Sequence, residues 1–200
     1  NNRYKLLVGK GGVGTESSTI KGENGFDSVF NISGVDGVNS FTAKGGGGGG
    51  VGYNSDHVKL NGNDGGSGGG ATGETANYLG GNSTQNTYIY NGIKRGYGNK
   101  GGDGYSSGGK GSAGGGGAGF PGMNSDSTDE GVPGGDGLAI VNGINLKTFF
   151  NINNTNIGHH YTDGNVYFAG GGGGGNDNSY ARNDNRGGLG GGGQGSTLNE

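Results

Sequence analysis

Residues 5–18 read KLLVGKGGVGTESS, and two incompatible architectures can be drawn from them. A short apolar run enters a glycine loop. Gly9, Gly11 and Gly14 spell G-x-G-x-x-G, and Lys10–Gly14 matches the opening of a deviant phosphate loop. If either motif functions, the chain is an α/β nucleotide-binding protein. Both need a strand before the loop and a helix after it, because the helix N-terminus and the loop N–H groups hold the phosphate. In the deviant loop a lysine follows the last glycine; here Thr15 follows, then Glu16. A carboxylate at that place repels phosphate. The next residues, TESSTIKGENGFDS (15–28), have no apolar period of 3.6 and are interrupted by Gly22 and Gly25, so no helix is predicted. The motifs are products of glycine density, and Gly9–Gly14 is the first of a series of glycine segments.

That density is the dominant fact of the chain: 59 of 200 residues are glycine. Leu, Ile, Val and Phe together supply 33 residues, too few for an ordinary core. Glycine loses more backbone freedom on ordering than any other residue. Order must therefore come from backbone hydrogen bonding and close main-chain approach, since every buried N–H and C=O needs a partner. Polyproline-II geometry has three residues per turn and no internal hydrogen bonds. Its amide groups point sideways and can bond neighbours when no Cβ intervenes, with Cα–H···O contacts in support. Two prolines and the lack of a strict G-X-Y period exclude collagen.

Other classes fall away on composition. There is no cysteine, hence no disulfide, thiolate metal site or cysteine nucleophile. No apolar run approaches the ~20 residues of a membrane span. A net charge of −3 argues against nucleic acid, and Arg186-Gly187-Gly188 stands alone.

Glycine segments alternate with polar, aromatic-bearing inserts. The richest are Gly9–Gly14, Gly45–Gly52, Gly65–Gly73, Gly96–Gly104, Gly108–Gly119, Gly131–Gly137, Gly170–Gly175 and Gly187–Gly195. They are represented by Gly11, Gly47, Gly69, Gly102, Gly116, Gly135, Gly172 and Gly191. At about 3.1 Å per residue their lengths suit rods of common height. Short strands are predicted at Tyr4–Val8, Asp27–Ile32, Thr87–Ile93, Leu138–Ile152 and Asn165–Gly170, with turns at Asn91-Gly92 and Asn142-Gly143. The expected fold is irregular and all-β-like: one domain over 1–200, a bundle of packed polyglycine-II helices with short β-strands and long polar loops. Almost no α-helix is expected.

The segments YKLLVGKGGVG, GENGFDSVF, AKGGGGGG, NDGGSGGGA, GNKGGDG, GSAGGGGAGFPG, GGDGLA, VYFAGGGGGG and GGLGGGGQG occur in this order. The series resembles the glycine-rich domain of phage tail-fibre and giant-virus surface proteins, and is similar to the receptor-binding adhesins of T-even-type phages. The resemblance implies a sandwich of polyglycine-II helices whose end loops bind the host surface. It also implies an interior piece of a longer fibre protein, displayed on a virion or outside the cell. Inserts such as NINNTNIGHHYTDG (151–164) are longer and richer in Asn than that pattern.

Within the inserts, His159-His160-x-x-Asp163 has metal-ligand residue types, but adjacent residues of an extended chain point apart; the expectation is no metal and no cofactor. Asn61–Gly66 and Asn176–Arg186 offer oxygens suited to calcium, and equally to Asn/Asp turns. Tyr53, Tyr78, Tyr88, Tyr90, Tyr97, Tyr105, Tyr161 and Tyr180 lie in or beside loops. Tyrosine among Asn and Ser gives rigid amphipathic contact area, or else covers the flanks of the glycine block. Tyr88, Tyr90, His160, Tyr161 and Tyr180, in the longest inserts, are the receptor-binding candidates. Glycosylation acceptor patterns begin at Asn31, Asn82 and Asn153. No nucleophile, base or carboxylate pair stands out, so no enzyme is expected. The expected function is host attachment through a surface glycan or protein, with a self-assembling fibre subunit as the alternative. An ice-binding face is disfavoured by the irregular inserts.

Overall fold

The structure is a computed structural model that describes residues 4–14, 19–31, 40–52, 56–73, 76–85, 88–90, 93–105, 111–126, 130–176 and 185–196. Tyr53, Tyr180 and the Asn91-Gly92 turn lie outside these. The described chain is mostly non-helical, with short antiparallel strands joined by long stretches that are neither helix nor strand.

Three strands form one antiparallel sheet: β1 (Lys5–Leu7), β2 (Ser28–Asn31) and β3 (Ser40–Ala43). β4 (Tyr88–Tyr90) and β5 (Ile93–Arg95) make a hairpin. β6 (Ile140–Val141) and β7 (Ile144–Asn145) make another. Its Asn142-Gly143 turn has positive φ at both residues, 50° and 79°, which Asn and Gly tolerate best. A helical turn, α1 (Leu146–Phe149), follows. β8 (His159–His160) and β9 (Val166–Tyr167) complete the set. Sequence patterning missed β3, β8 and α1. α1 exists because Asn145 caps it, its Oδ1 accepting from the Thr148 N–H at 3.1 Å.

The glycine stretches bond to each other sideways, in a pattern that segment 111–118 makes plain. Ser112, Gly115 and Ala118 donate their N–H groups to the carbonyls of Gly175, Gly172 and Ala169. Ala113 and Gly116 donate to Ala71 and Gly68; Gly114 and Gly117 donate to Met123 and Phe120. Three successive N–H groups thus reach three different neighbours, and each neighbour is met again three residues later. The same step runs through 67–73, where Gly68 and Ala71 donate to Asn99 and Gly102, and Gly69 and Thr72 to Asn63 and Leu60.

These bonds connect segments 9–14, 21–26, 45–51, 60–66, 67–73, 78–83, 97–104, 111–118, 121–125, 130–137, 170–176, 185–188 and 192–196. Two of the predicted runs are therefore each two segments. Gly65–Gly73 turns back between Gly66 and Ser67, and Gly187–Gly195 turns at 189–191. Segments 21–26, 78–83 and 121–125 carry too little glycine to stand out in the sequence. They take part because side chains supply acceptors. Asn24 and Asn124 accept the backbone N–H groups of Gly48 and Asp103, and 78–83 donates the N–H groups of Leu79 and Asn82 to Asn61 and Asp64 of segment 60–66.

Close approach explains the glycine. An alanine Cβ at Gly47, Gly69, Gly102, Gly116 or Gly135 would lie 2.1, 2.1, 1.9, 2.2 or 2.1 Å from a neighbouring carbonyl oxygen. Gly11 and Gly172 differ: a Cβ meets nothing within 4 Å at Gly11, and nothing nearer than 3.8 Å at Gly172. Gly191 sits in a turn at φ +92°, so its role is conformational. Side-chain burial is minor by comparison, with one cluster of Val51, Leu60, Ala71 and Tyr78. Tyr78 is thus a packing residue, at 4 % exposure.

Candidate functional site

Segment directions decide which loops share an end. Segments 111–118 and 130–137 run parallel, since Val132 donates to Ser112 and Gly135 to Gly115; 170–176 is antiparallel to both. Following each pairing, one end of the array gathers the β1–β3 sheet, the β4–β5 hairpin, the 118–121 turn and the 138–168 insert. Direct bonds join these loops. The Lys44 N–H donates to Gln85 Oε1, and Gln85 Nε2 donates to the Thr42 carbonyl. The Tyr97 hydroxyl donates to Asn142 Oδ1 at 3.2 Å.

The 138–168 insert is a small lobe closed at its base by the pairing of Leu138 with Phe168. Ala139, Ile152 and Val166 are its buried residues. Asn145 Nδ2 donates to Asn165 Oδ1 at 2.7 Å, and Lys147 Nζ to the Gly164 carbonyl at 2.8 Å, tying α1 to the β8–β9 connection. Asp163 accepts from the Asn165 N–H, Asn165 Nδ2 and the Tyr167 hydroxyl at 2.9, 3.0 and 2.8 Å. The Asn165 bonds and then the Tyr167 bond hold the Asp163 carboxyl below the usual carboxylate range. The same carboxylate pushes the Tyr167 phenol up.

On the surface of this frame Tyr161 meets Tyr167 edge-to-face, with centroids 6.2 Å apart, and His159 at 6.3 Å. Phe149 and Phe150 meet edge-to-face at 4.9 Å. Phe149 is 65 % exposed, Phe150 63 % and Tyr161 44 %. These large rings are left in solvent on a braced frame, as an exposed aromatic patch.

Of the predicted residues, His160 and Tyr161 lie in this lobe, and β4, which carries Tyr88 and Tyr90, lies at the same end of the array. Asn176 and Asn185, which flank the stretch containing Tyr180, lie at the opposite end; Tyr180 itself is outside the described residues. His160 Nε2 lies 3.2 Å from the Asn154 carbonyl; a carbonyl only accepts, so Nε2 donates, and the ring braces the insert. Sequence reading missed the phenylalanines. Phe30, Phe41, Phe120, Phe149 and Phe150 are all exposed and all at this end, and their clustering follows from segment direction rather than from any local motif.

Of the other candidates, residues 177–184 of the Asn176–Arg186 stretch lie outside the described residues. Among the described residues no group of three or more His, Asp or Glu side chains is placed to hold a metal ion. In the proposed calcium loop, Asn61 and Asp64 already accept backbone N–H groups and Asn63 Nδ2 donates to Gly22. Lys10 and Val13 pair through their carbonyls with Phe26 and Glu23, so the phosphate-loop stretch serves as an array segment. Asn31 is buried while Asn82 and Asn153 are exposed, so only the latter two present an accessible acceptor pattern. No helix among the described residues is long and apolar enough to cross a membrane.

Neither a family model, nor a curated protein, nor a solved structure matches this chain.

Proposed function

We propose that this chain is a viral attachment domain of the phage tail-fibre type: a rigid glycine block, displayed on a virion surface, whose end loops bind a host glycan or surface protein. The three-residue step of the lateral hydrogen bonds supports reading the glycine segments as polyglycine-II helices, which have three residues per turn. One observation carries the functional reading: Tyr4, Phe30, Phe41, Phe120, Phe149, Phe150 and Tyr161 are exposed at one end of the array, where bonds join neighbouring loops, against Tyr105 at the other end. Loops fixed on a rigid block lose little entropy on binding, and many copies on a fibre strengthen weak single contacts. The reading requires no catalysis.

The test is binding of the purified chain to a glycan array and to intact bacterial cells, with Tyr161→Ala and Phe149→Ala alongside. More than tenfold weaker binding by the variants, with unchanged thermal unfolding, is expected. Equal binding by all three proteins sinks the assignment of this end.

A second reading, a fibre subunit that assembles through glycine faces, is favoured by the open glycines. A Cβ at Gly11, Gly14, Gly46 or Gly193 meets nothing within 4 Å, so bare backbone is presented outward, like an open sheet edge.

A further inference from the structure

Rods of equal width pack with roughly six neighbours each. Among the described residues, segment 67–73 has five: 45–51, 60–66, 78–83, 97–104 and 111–118. Each of these bonds to the next in that order, so the gap lies between 45–51 and 111–118. Segment 111–118 also has five among the described residues: 67–73, 97–104, 121–125, 130–137 and 170–176. They too form an unbroken series, with the gap between 170–176 and 67–73. The two gaps are one place, a groove walled by 45–51, 67–73, 111–118 and 170–176.

The walls carry unused backbone groups at the same three-residue step. In 67–73 two of every three N–H groups go to 97–104 and 60–66; those of Ser67 and Gly70 are left, and they face the third direction, the groove. In 170–176 the N–H groups of Gly172 and Gly175 are left in the same way. On the wall between them, the carbonyls of Ala113 and Gly116 accept nothing, and on the far wall those of Gly47 and Gly50. None of these eight groups has a partner among the described residues. Donor walls alternate with acceptor walls. A glycine segment with three residues per turn presents donors and acceptors in that same alternation.

We infer that this groove receives a glycine segment of a second copy of the chain, its residues 9–14. The inference rests on the assembly reading above. A free glycine peptide loses the most backbone entropy on docking, whereas an edge segment already held in place loses little. Segment 9–14 is such an edge: among the described residues its backbone pairs with 21–26 alone, and the Gly9 N–H donates to Ser28 Oγ just beyond it. Gly9 and Gly12 face 21–26, Lys10 and Val13 share a second side, and Gly11 and Gly14 leave the third side bare. With the bare side down, the bonded side and the Lys10 side fall at the two rims. Groove and edge are different surfaces, so the contact is heterologous and propagates into a filament.

Sedimentation velocity over a concentration series tests this. A Cβ at Gly49 meets only the Gly70 carbonyl oxygen at 3.8 Å, and one at Gly115 meets nothing nearer than 3.5 Å. The variant Gly49→Val/Gly115→Val therefore fills the groove without displacing a segment. Gly11→Val blocks the edge. The wild type is expected to grow beyond a dimer with concentration. Each variant alone should associate at least tenfold more weakly, and an equal mixture of the two should stop at a one-to-one complex. A wild type that stays monomeric overturns both the assembly reading and the groove. Association of the groove variant at wild-type strength overturns the groove alone. Two blocked variants that form no complex on mixing overturn the choice of 9–14 as the occupant.

Discussion

Replacement of Gly135 by alanine is the most direct test of backbone packing as the source of stability. The new Cβ would lie 2.1 Å from the Phe120 carbonyl oxygen, 2.6 Å from that of Pro121 and 2.8 Å from the Gly117 nitrogen. All three are backbone atoms, so no side chain can swing aside. To restore ordinary contact the 130–137 and 117–121 backbones must part by about 1 Å. Gly135 donates its N–H to Gly115 at 2.9 Å and accepts from Gly171 at 2.8 Å. Losing both bonds in a buried setting costs roughly 1–3 kcal/mol each. Against this stands about 0.4–1 kcal/mol gained by restricting the unfolded chain. The expected net loss is about 2–5 kcal/mol, or on the order of 10 °C in Tm for a chain of this size. Gly11→Ala is the control: its Cβ meets nothing within 4 Å, so it should be neutral or slightly stabilising. Urea unfolding of both variants reads the difference. A Gly135→Ala protein within about 0.5 kcal/mol of wild type would refute close backbone packing as the reason for glycine at that place.

Three further outcomes follow from the side chains. Asp103 Oδ1 accepts the Gly80 N–H at 2.8 Å; Asp103→Ala should lower stability by about 1–3 kcal/mol in urea unfolding, while Asp103→Asn, which keeps the acceptor, should lose clearly less. The Asp163 carboxyl is held low by Asn165 and Tyr167, so its bonds brace the lobe above the ordinary carboxylate pKa and are lost as pH falls through the lower folded value. A carbon-13 NMR titration should find that low value in the wild type and a higher one in Tyr167→Phe; identical titrations would remove Tyr167 from the account. Asn142→Ala should cost about 1 kcal/mol, because the φ of 50° at that position suits asparagine better than alanine, and a loss of Val141 and Ile144 amide protection in hydrogen exchange would report it.

Much of the fold was legible where residue type alone fixes geometry. Asn142-Gly143 announces its hairpin, and the absence of a helix after Gly14 follows from Thr15, Glu16, Gly22 and Gly25. The limits of the glycine segments were less legible. The turn between Gly66 and Ser67 lies inside a glycine-rich run, and no residue there differs enough from its neighbours to mark it. The partners of 21–26 and 121–125 were invisible for the opposite reason. Their Asn and Ser side chains look like loop composition, yet they accept N–H groups that would otherwise go without a carbonyl. At the candidate site, Tyr161 and His160 were found through insert length and residue type. Phe30, Phe41 and Phe120 come to the same end only through the directions in which the segments run, and that is a property of pairing rather than of local sequence.

The same pairing explains how a chain with so little apolar content holds a set of ordered loops at one end. In an ordinary domain a loop is positioned by the side-chain core beneath it, so a change in the loop disturbs packing. Here Leu138 and Phe168 close the base of the 138–168 lobe, and the segments below, 130–137 and 170–176, are held by backbone N–H and C=O groups rather than by side-chain packing. The lobe carries its own buried residues, Ala139, Ile152 and Val166, and its own polar braces at Asn145, Lys147 and Asp163. Loop sequence and scaffold sequence are thereby separated. Substituting Phe149, Phe150 or Tyr161 alters what the end presents and leaves the lateral bonds of the glycine segments untouched. Substituting Gly135 or Gly102 does the reverse. Measured together, unfolding should respond to the second set and binding to the first, and a substitution at Tyr161 that melts the glycine array would show that the two are coupled after all.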